Sequence, residues 1–236
     1  MKPIFEELDS QETYMGELSL RRRRIQSCGD MEVYEIKLDH EYLMSSLFHE
    51  AEVALADMGL GGLNGDGWDV VVGGLGLGYT AAAALKFKQL RRLIVVEALA
   101  PVIDWHKRGL VSQEIQLNTD SRCVFCHADF FALARENGFD TETPGRRFDA
   151  ILLDIDHTPD FWLHPSHAGF YSEEGLRQLK SFLKPHGVFA LWSNDSPADT
   201  FLNTLSTVFK DVQGHPIQFD NPLQQSTSTS GVYVAR

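Results

Sequence analysis

The stretch that decides the fold is Val70-Val71-Val72-Gly73-Gly74-Leu75-Gly76-Leu77-Gly78-Tyr79, which runs on into four alanines. An apolar run that changes into closely spaced glycines and then into a helix-forming segment predicts a buried strand, a tight loop and a helix. Glycines in such a loop let the backbone turn sharply and approach a ligand closely. The N-terminus of the helix that follows offers unpaired N–H groups to that ligand.

The spacing of the glycines favours one kind of ligand. The dinucleotide pattern G-x-G-x-x-G, begun at Gly74, would need a glycine where Tyr79 stands. Gly74, Gly76 and Gly78 instead fill the pattern G-x-G-x-G, which is typical of folds that bind S-adenosylmethionine. A tight strand-to-helix turn that binds nothing is the alternative interpretation.

Outward from this loop, short apolar runs alternate with amphipathic stretches. Strands are predicted at residues 70–72, 93–96, 123–127, 150–153 and 188–192. Helices are predicted between them at residues 80–88, 102–110, 130–137, 173–183 and 197–209, the last with Ser196 as its N-cap. Strands that are apolar on both faces and separated by helices indicate a parallel sheet covered on both sides.

The two ends of the chain complete the predicted fold. Residues 212–219 and 231–235 are expected to form a strand hairpin on the sheet edge, and residues 17–39 a separate antiparallel hairpin. The sequence therefore predicts an α/β fold: a Rossmann-like, doubly wound mixed sheet of seven strands, the last one antiparallel, with a small N-terminal β extension. We expect the extension to occupy residues 1–62, with its own helix at residues 45–58 capped by Ser45 or Ser46, and the ligand-binding domain to occupy residues 63–236.

Composition limits the partners. The chain has 236 residues, 43% of them hydrophobic, and a formal net charge of −12. This charge opposes a nucleic-acid surface, so the run Arg21-Arg22-Arg23-Arg24 is interpreted as solvated or salt-bridged. No segment has the pattern of a secretion signal or a membrane span, and three cysteines do not form a disulfide framework, so a cytoplasmic location is expected. Cys123 and Cys126 are interpreted as buried core residues.

Carboxylates end three successive predicted strands. Glu97 follows the second strand, Asp129 the third, and Asp154 and Asp156 the fourth. Parallel strands carry their ligands at the carboxyl edge of the sheet, and an acid that ends the second strand is placed to bind ribose hydroxyls. The sequence therefore predicts that Glu97 is part of a ligand site at this edge.

At these residues the chain resembles the class I S-adenosylmethionine-fold transferases, and within them the spermidine synthase (polyamine aminopropyltransferase) group. Val72 stands where methyltransferases usually carry an acid, as in that group's apolar strand followed by Gly-Gly. Phe48-His49-Glu50 is similar to its aromatic-Gln-Glu step, and Phe148-Asp149-Ala150-Ile151-Leu152-Leu153-Asp154 leads without a gap into a loop that ends at Phe170-Tyr171. The resemblance spans about residues 17 to 192.

The resemblance implies a homodimer that transfers an aminopropyl group from decarboxylated S-adenosylmethionine to a small-molecule amine, with no metal. It assigns the adenine amino group to Asp129 and places His49 at the cofactor. The chain also departs from the family: Gly76 replaces the aspartate of the family's glycine loop, and His157 replaces the second acid of its Asp-x-x-Asp-Pro motif. Because each lost carboxylate weakens the binding of a polycation, methyl transfer from S-adenosylmethionine and a catalytically silent relative stay open as alternatives.

The transfer chemistry selects Asp154 as the candidate catalytic residue. An amine substrate arrives protonated, and a carboxylate at the strand end can hold the ammonium and take its proton. The alternative for Asp154 is an N-cap or a loop-bracing hydrogen bond. Asp156, His157, Trp162 and Tyr171 are predicted to bind the substrate from a loop that covers the ligand. The histidines and acids of this loop form no compact metal-binding motif, so no metal is expected.

Overall fold

The computed structural model describes residues 4–236, which form two β-sheets and six α-helices. The strands are β1 (Phe5–Thr13), β2 (Gly16–Ile25), β3 (Met31–Leu38), β4 (Glu41–Ser45), β5 (Trp68–Gly73), β6 (Leu90–Glu97), β7 (Cys123–His127), β8 (Phe148–Leu153), β9 (Leu183–Ser193), β10 (Val212–Asn221) and β11 (Ser226–Ala235). The helices are α1 (Glu50–Leu60), α2 (Tyr79–Leu85), α3 (Ala100–Lys107), α4 (Phe130–Arg135), α5 (Glu173–Ser181) and α6 (Asp199–Ser206). Short 3-10 helices lie at Gln26–Cys28, Leu117–Thr119 and Pro165–Tyr171.

The larger sheet has seven strands in the order β10-β11-β9-β8-β5-β6-β7. The strands from β9 to β7 are parallel neighbours, and β11 runs antiparallel to both β9 and β10. This confirms the predicted doubly wound mixed sheet whose last strand is antiparallel.

The two faces of the sheet carry separate hydrophobic clusters. Alternate residues of β5 divide between them: Val70 and Val72 belong to one cluster, and Val71 to the other. The first cluster also contains apolar side chains of α1, α2, α3 and the N-terminal strands, and the second those of α4, α5 and α6. This distribution is the covered parallel sheet that the apolar runs predicted.

The smaller sheet contains β1 to β4 in sequence order, all antiparallel. The predicted hairpin corresponds to β2 and β3, whereas β1 and β4 were not predicted. The arginines of β2 form ion pairs with β1, β3 and the turn before β3: Arg21 with Glu7, Arg22 with Glu6, Arg23 with Glu35, and Arg24 with Asp30. The salt-bridged interpretation of the arginine run is therefore confirmed.

Three local predictions were wrong. The helix expected from Ser45 begins at Glu50, because β4 extends to Ser45 and the Ser46 hydroxyl accepts the Tyr34 N–H of β3 instead of capping a helix. Similarly, α6 begins at Asp199 with Ala198 at its N-cap, so Ser196 is not the cap.

The cysteines of β7 also differ from the prediction. Cys123 and Cys126 are half-buried, not fully buried, because β7 is an edge strand. They pack against opposite clusters, as an i, i+3 pair on a strand should. Burial raises the pKa of Cys123 to about 12.

The N-terminal sheet is attached to the larger sheet through α3. The Asp9 carboxylate of β1 accepts a hydrogen bond from Trp105 Nε1 at 2.8 Å and one from Arg108 at 3.2 Å. Helix α1, in contrast, packs on β8, β9, β11 and α2. The division of the chain at residue 62 stays a prediction. Within residues 4–236, every helix is too short or too polar to span a bilayer.

The hairpin β10–β11 is longer than the strand it packs on. Only Gly231 to Ala235 of β11 pair with β9, whereas the hairpin ladder continues to the pair Asn221 and Ser226. The tip of the hairpin therefore projects beyond β9, past the carboxyl edge of the sheet.

A buried ionic cluster lies at the opposite, amino edge. Asp69 at the start of β5 is 2% exposed and is bonded to Arg91 and Arg146. Burial alone would raise the pKa of Asp69, but hydrogen bonds and charge from these two arginines outweigh it and hold the pKa below its ordinary value. Lys184 adds a contact at 3.7 Å.

We expect Asp69→Asn to lower the free energy of unfolding at pH 7 by about 2–4 kcal/mol, because two arginines lose a buried carboxylate partner. A carboxyl group whose pKa is depressed by folding contributes its stability above its unfolded pKa of about 3.9 and loses it as the pH falls through the folded pKa. The variant should therefore also have a shallower loss of stability below about pH 4, measured by urea unfolding. Glu173→Gln, which removes an exposed ion pair with Arg177, is the control and should cost less than about 0.5 kcal/mol. Equal costs for the two variants would contradict the prediction.

Candidate active site at the carboxyl edge of the sheet

A cavity of about 760 Å³ lies between the N-terminal sheet and the carboxyl edge of the larger sheet. Its lining comes from the glycine loop, the strand-end acids, α1, β4, the β1–β2 turn and the projecting tip of β10–β11. The predicted site residues in the lining are Gly74, Gly76, Glu97, Asp129, Asp154 and His157. The cavity thus collects acids from three different strand ends.

Close approach of two backbones fixes the start of the glycine loop. Gly74 has a φ of +93°, and a Cβ there would lie 2.0 Å from the Asp154 carbonyl oxygen. The Gly74 N–H donates to the Val96 carbonyl at 2.9 Å, and the Asp154 N–H donates to the Gly73 carbonyl at 2.8 Å. Only glycine fits at position 74, and its absence of a side chain brings Asp154 against the loop.

Position 76 explains one departure from the family pattern. Gly76 has a φ of +47°, and a Cβ there would lie 2.7 Å from the Met44 sulfur. The same sulfur lies 3.1 Å from the Leu77 nitrogen. The side chain of Met44, from β4, therefore occupies the space next to Gly76 where an aspartate side chain would have to stand.

Glu97 and Asp129 form one corner of the cavity. The two Glu97 oxygens accept the N–H groups of Leu99 and Leu75 at 2.8 and 3.0 Å, so the carboxylate holds the glycine loop directly. Burial raises the pKa of Glu97, against the opposing effect of these N–H groups. Asp129 is the N-cap of α4, and its Oδ1 accepts the Phe131 N–H at 2.8 Å. Both donors to Asp129 use Oδ1, so its Oδ2 keeps acceptor capacity for a ligand.

Asp154 lies at another corner, bonded to a buried hydroxyl. Its Oδ2 accepts the Thr80 hydroxyl at 2.7 Å. Burial raises the pKa of Asp154 to about 6, although this hydrogen bond acts in the opposite direction. A carboxyl group with such a pKa can accept and release a proton near neutral pH.

The sequence analysis missed Glu52, a second carboxyl group of the same corner. It lies in α1, is 7% exposed and lines the cavity. Burial and the neighbouring charge of Asp154 raise the pKa of Glu52 well above its ordinary value. A signal was present in the sequence, because Glu52 follows Phe48 by four residues and precedes Leu55 by three, on the apolar face of the helix.

Two predicted cofactor residues lie outside the lining. Gly78 has a φ of +93° and is the N-cap of α2, where a Cβ would lie 2.8 Å from the His106 ring. His49 stacks on Tyr79 with ring centroids 4.2 Å apart. Both residues support the loop and helix that form the cavity.

Three of the four predicted substrate residues also lie outside the lining. Asp156 and Tyr171 are buried and bonded to each other at 2.8 Å, and Trp162 Nε1 donates to the Pro159 carbonyl at 2.8 Å. From the loop that was expected to cover the ligand, Leu163 and His167 line the cavity together with His157.

Other walls of the cavity were not predicted. Tyr14 and Met15 of the β1–β2 turn contribute to the lining. Burial is the largest cause of a raised Tyr14 pKa, and the negative charges of Asp129 and Glu97 raise it further. The remaining unpredicted polar lining residues include Arg23, Glu35, Asn194, Asp195, Asn221, Ser228, Thr229 and Ser230. Their positions depend on the packing of β1, β4 and the hairpin tip, which local sequence patterns do not report. Within residues 4–236, no three histidine, cysteine or acidic side chains are arranged to hold a metal ion.

The sheet order and the glycine loop together define a class I methyltransferase-like fold. The structure of human methyltransferase-like protein 13 in complex with SAH matches with a TM-score of 0.52 at 20% identity, over 79% of this chain and 78% of that one. A spermidine synthase in complex with the transition-state analogue AdoDATO matches with a TM-score of 0.70 at 18% identity, over 97% of this chain and 71% of that one.

A sequence relative points in the same direction. The polyamine aminopropyltransferase of Sulfolobus acidocaldarius is 30% identical over 149 residues, which is 61% of this chain and 46% of the relative. The chain thus spans about half the length of the curated relative that it matches. No protein-family model matches the chain. The resemblance to the spermidine synthases is confirmed in the fold and, over part of the chain, in the sequence; the homodimer stays a prediction.

We expect Gly74→Ala to lower the free energy of unfolding by about 2–4 kcal/mol. The new methyl group would clash with the Asp154 carbonyl, and a non-glycine residue also pays the cost of a positive φ. Gly109→Ala is the matched control: its φ is +65°, but no atom lies within 4 Å of a Cβ there. The control should cost about 1 kcal/mol. Chemical unfolding measures both, and similar values would show that the close approach at Gly74 is not a constraint.

We expect Asp154→Asn to raise the free energy of unfolding at pH 8 by about 1–2 kcal/mol. The Asp154 pKa of about 6 lies above the unfolded value of about 3.9, so the native state loses stability as the pH rises through this interval. The gain should therefore largely disappear at pH 4, where the native carboxyl group is already neutral. Thermal unfolding at the two pH values measures the effect, and a destabilised variant at pH 8 would contradict it.

Proposed function

We propose that the chain is a group transferase that uses an S-adenosyl donor and transfers an aminopropyl group from decarboxylated S-adenosylmethionine to a small amine. The observation that carries this proposal is that the glycine loop, Glu97 and the partly buried Asp154 line the same cavity. The fold of the AdoDATO-bound spermidine synthase and the partial sequence match to a polyamine aminopropyltransferase support it.

The residues present fit the adenosyl part of the donor. Gly74 and Gly76 contribute backbone without side chains to the cavity lining. We propose that Glu97, which lines the cavity beside the glycine loop, binds the ribose hydroxyls. The exposed Asp129, which lies beside it at the α4 N-terminus, is assigned to the adenine amino group.

The carboxyl pair fits an ammonium group. Two acids that share a buried corner are disfavoured as two anions, and a cation offsets that cost. Glu52 thereby supplies, from α1, negative charge that Gly76 and His157 no longer provide. We propose that the acceptor amine binds between Glu52 and Asp154.

The transfer step then follows. The ionised Asp154 takes a proton from the acceptor ammonium, which leaves a nitrogen lone pair. That lone pair forms the new N–C bond with the carbon attached to the donor's sulfonium, the C–S bond breaks, and its electron pair stays on sulfur. The products are the alkylated amine, which carries the positive charge as an ammonium, and neutral methylthioadenosine, and Asp154 returns its proton to solvent. Asp154 needs its carboxylate form, so the rate should rise with pH around 6 and level off above it.

Methyl transfer is the second candidate, favoured by one observation. Met44 fills the space beside Gly76, so the loop has no room for the aspartate that the aminopropyltransferase family carries at this position. A site without that acid is less suited to a polyamine. The two reactions differ in their nucleoside product: aminopropyl transfer yields methylthioadenosine, and methyl transfer yields S-adenosylhomocysteine.

The test is incubation of the protein with both donors, putrescine and spermidine, followed by identification of the nucleoside by mass spectrometry. We expect methylthioadenosine, and a loss of about 100-fold or more in rate for Asp154→Asn. Asp104→Asn, an exposed α3 carboxylate outside the cavity, is the control and should keep the wild-type rate. Formation of S-adenosylhomocysteine would select methyl transfer. Neither nucleoside above a no-enzyme control would leave a catalytically silent ligand-binding protein.

A further inference from the structure

A buried carboxylate orients a histidine at the cavity wall. Asp156 is 1% exposed and accepts the Leu163 N–H at 2.7 Å, the Tyr171 hydroxyl at 2.8 Å and His167 Nδ1 at 2.9 Å. A carboxylate that faces Nδ1 requires the proton on that nitrogen. The Asp156 network therefore fixes the tautomer of His167.

The other ring nitrogen is left for a ligand. His167 is 9% exposed and lines the cavity. Its Nε2 has no hydrogen-bond partner among residues 4–236, whereas Nδ1 is committed to Asp156. In the neutral ring Nε2 carries a lone pair, so it is the hydrogen-bond acceptor that the ring has available.

The ring lies in the same corner as Asp129. It stacks on Phe131 with centroids 3.8 Å apart and an interplanar angle of 21°. The Phe131 N–H is in turn held by Asp129 Oδ1 at 2.8 Å. Asp129 and His167 are therefore joined through one residue, at the N-terminal end of α4.

We propose that His167 is a specificity-determining residue for a 6-aminopurine, with Nε2 accepting one N–H of the exocyclic amino group while Asp129 accepts the other. This inference rests on the proposed function, because it assumes an adenosyl ligand. Two acceptors match the two N–H donors of an amino group, whereas a 6-oxopurine would place a third acceptor against them. Asp156 is the positioning residue, acting through the tautomer of His167.

Equilibrium binding of methylthioadenosine and methylthioinosine at pH 8 tests the proposal. The wild-type chain should prefer the adenine compound by on the order of 100-fold, since a site built around hydrogen bonds rejects an analogue that leaves them unpaired. His167→Asn keeps a donor for Asp156 but removes Nε2. It should weaken methylthioadenosine about tenfold without weakening methylthioinosine, because a hydrogen bond is lost from the adenine complex alone.

His186→Asn is the matched control. It makes the same substitution at an exposed histidine near the amino end of β9, outside the cavity lining, so the preference for adenine should keep its wild-type value. Equal weakening of both nucleosides by His167→Asn would mean that the ring only braces the loop, and would overturn the proposal.

A second measurement uses the unaltered protein. In ¹⁵N spectra of the histidine rings, the Nε2 resonance of His167 should shift on addition of methylthioadenosine and stay in place on addition of methylthioinosine. No shift with methylthioadenosine, despite binding, overturns the role of His167 alone. Absence of binding by both nucleosides overturns the proposed function and this inference together.

Discussion

The site depends on two backbone hydrogen bonds that continue the sheet one residue past its strands. The Gly74 N–H donates to the Val96 carbonyl of β6, on one side of β5. The Asp154 N–H, which follows β8 on the other side, donates to the Gly73 carbonyl of β5. These bonds hold the glycine loop between β6 and β8 with no space for a side chain at Gly74. Because Glu97 and Asp154 follow directly on those two strands, the same bonds set the separation of the two acids.

Around this fixed centre the remaining walls come from elements that are remote in sequence. Helix α1 brings Glu52, β4 brings Met44, and the loop after β8 brings His167. Met44 occupies the space beside Gly76, and Glu52 adds a carboxyl group next to Asp154. The cavity therefore keeps an acidic and hydrogen-bonding character although two family acids are missing from its centre.

The sequence was sufficient for the central strands and for the acids that end them. Apolar runs such as residues 70–72 pack on both faces of the sheet, so their pattern follows directly from burial. Strand β1 escaped prediction because its sequence, Phe5–Thr13, is mainly polar and pairs with β2 partly through ion pairs.

The same limit applies to the site. Glu97, Asp129 and Asp154 reach the cavity because strand ends share an edge, which sequence spacing encodes. Asp156 is the counterexample: only two residues after Asp154, its side chain turns to Tyr171 and His167, fifteen and eleven residues away. In an extended backbone Asp154 and Asp156 would face the same side, so the alternation pattern does not predict the direction of the Asp156 side chain. The packing of the loop determines it.

The overhang of the β10–β11 hairpin separates one wall of the cavity from the strand pairing that holds the sheet together. Its base is anchored by pairing of Gly231 to Ala235 with β9, while Ser228, Thr229 and Asn221 of the tip pair within the hairpin and line the cavity. Changes in length or composition at the tip would leave the sheet register intact. The shape of the cavity can therefore change at the hairpin tip without altering the glycine loop or the acids that end the strands.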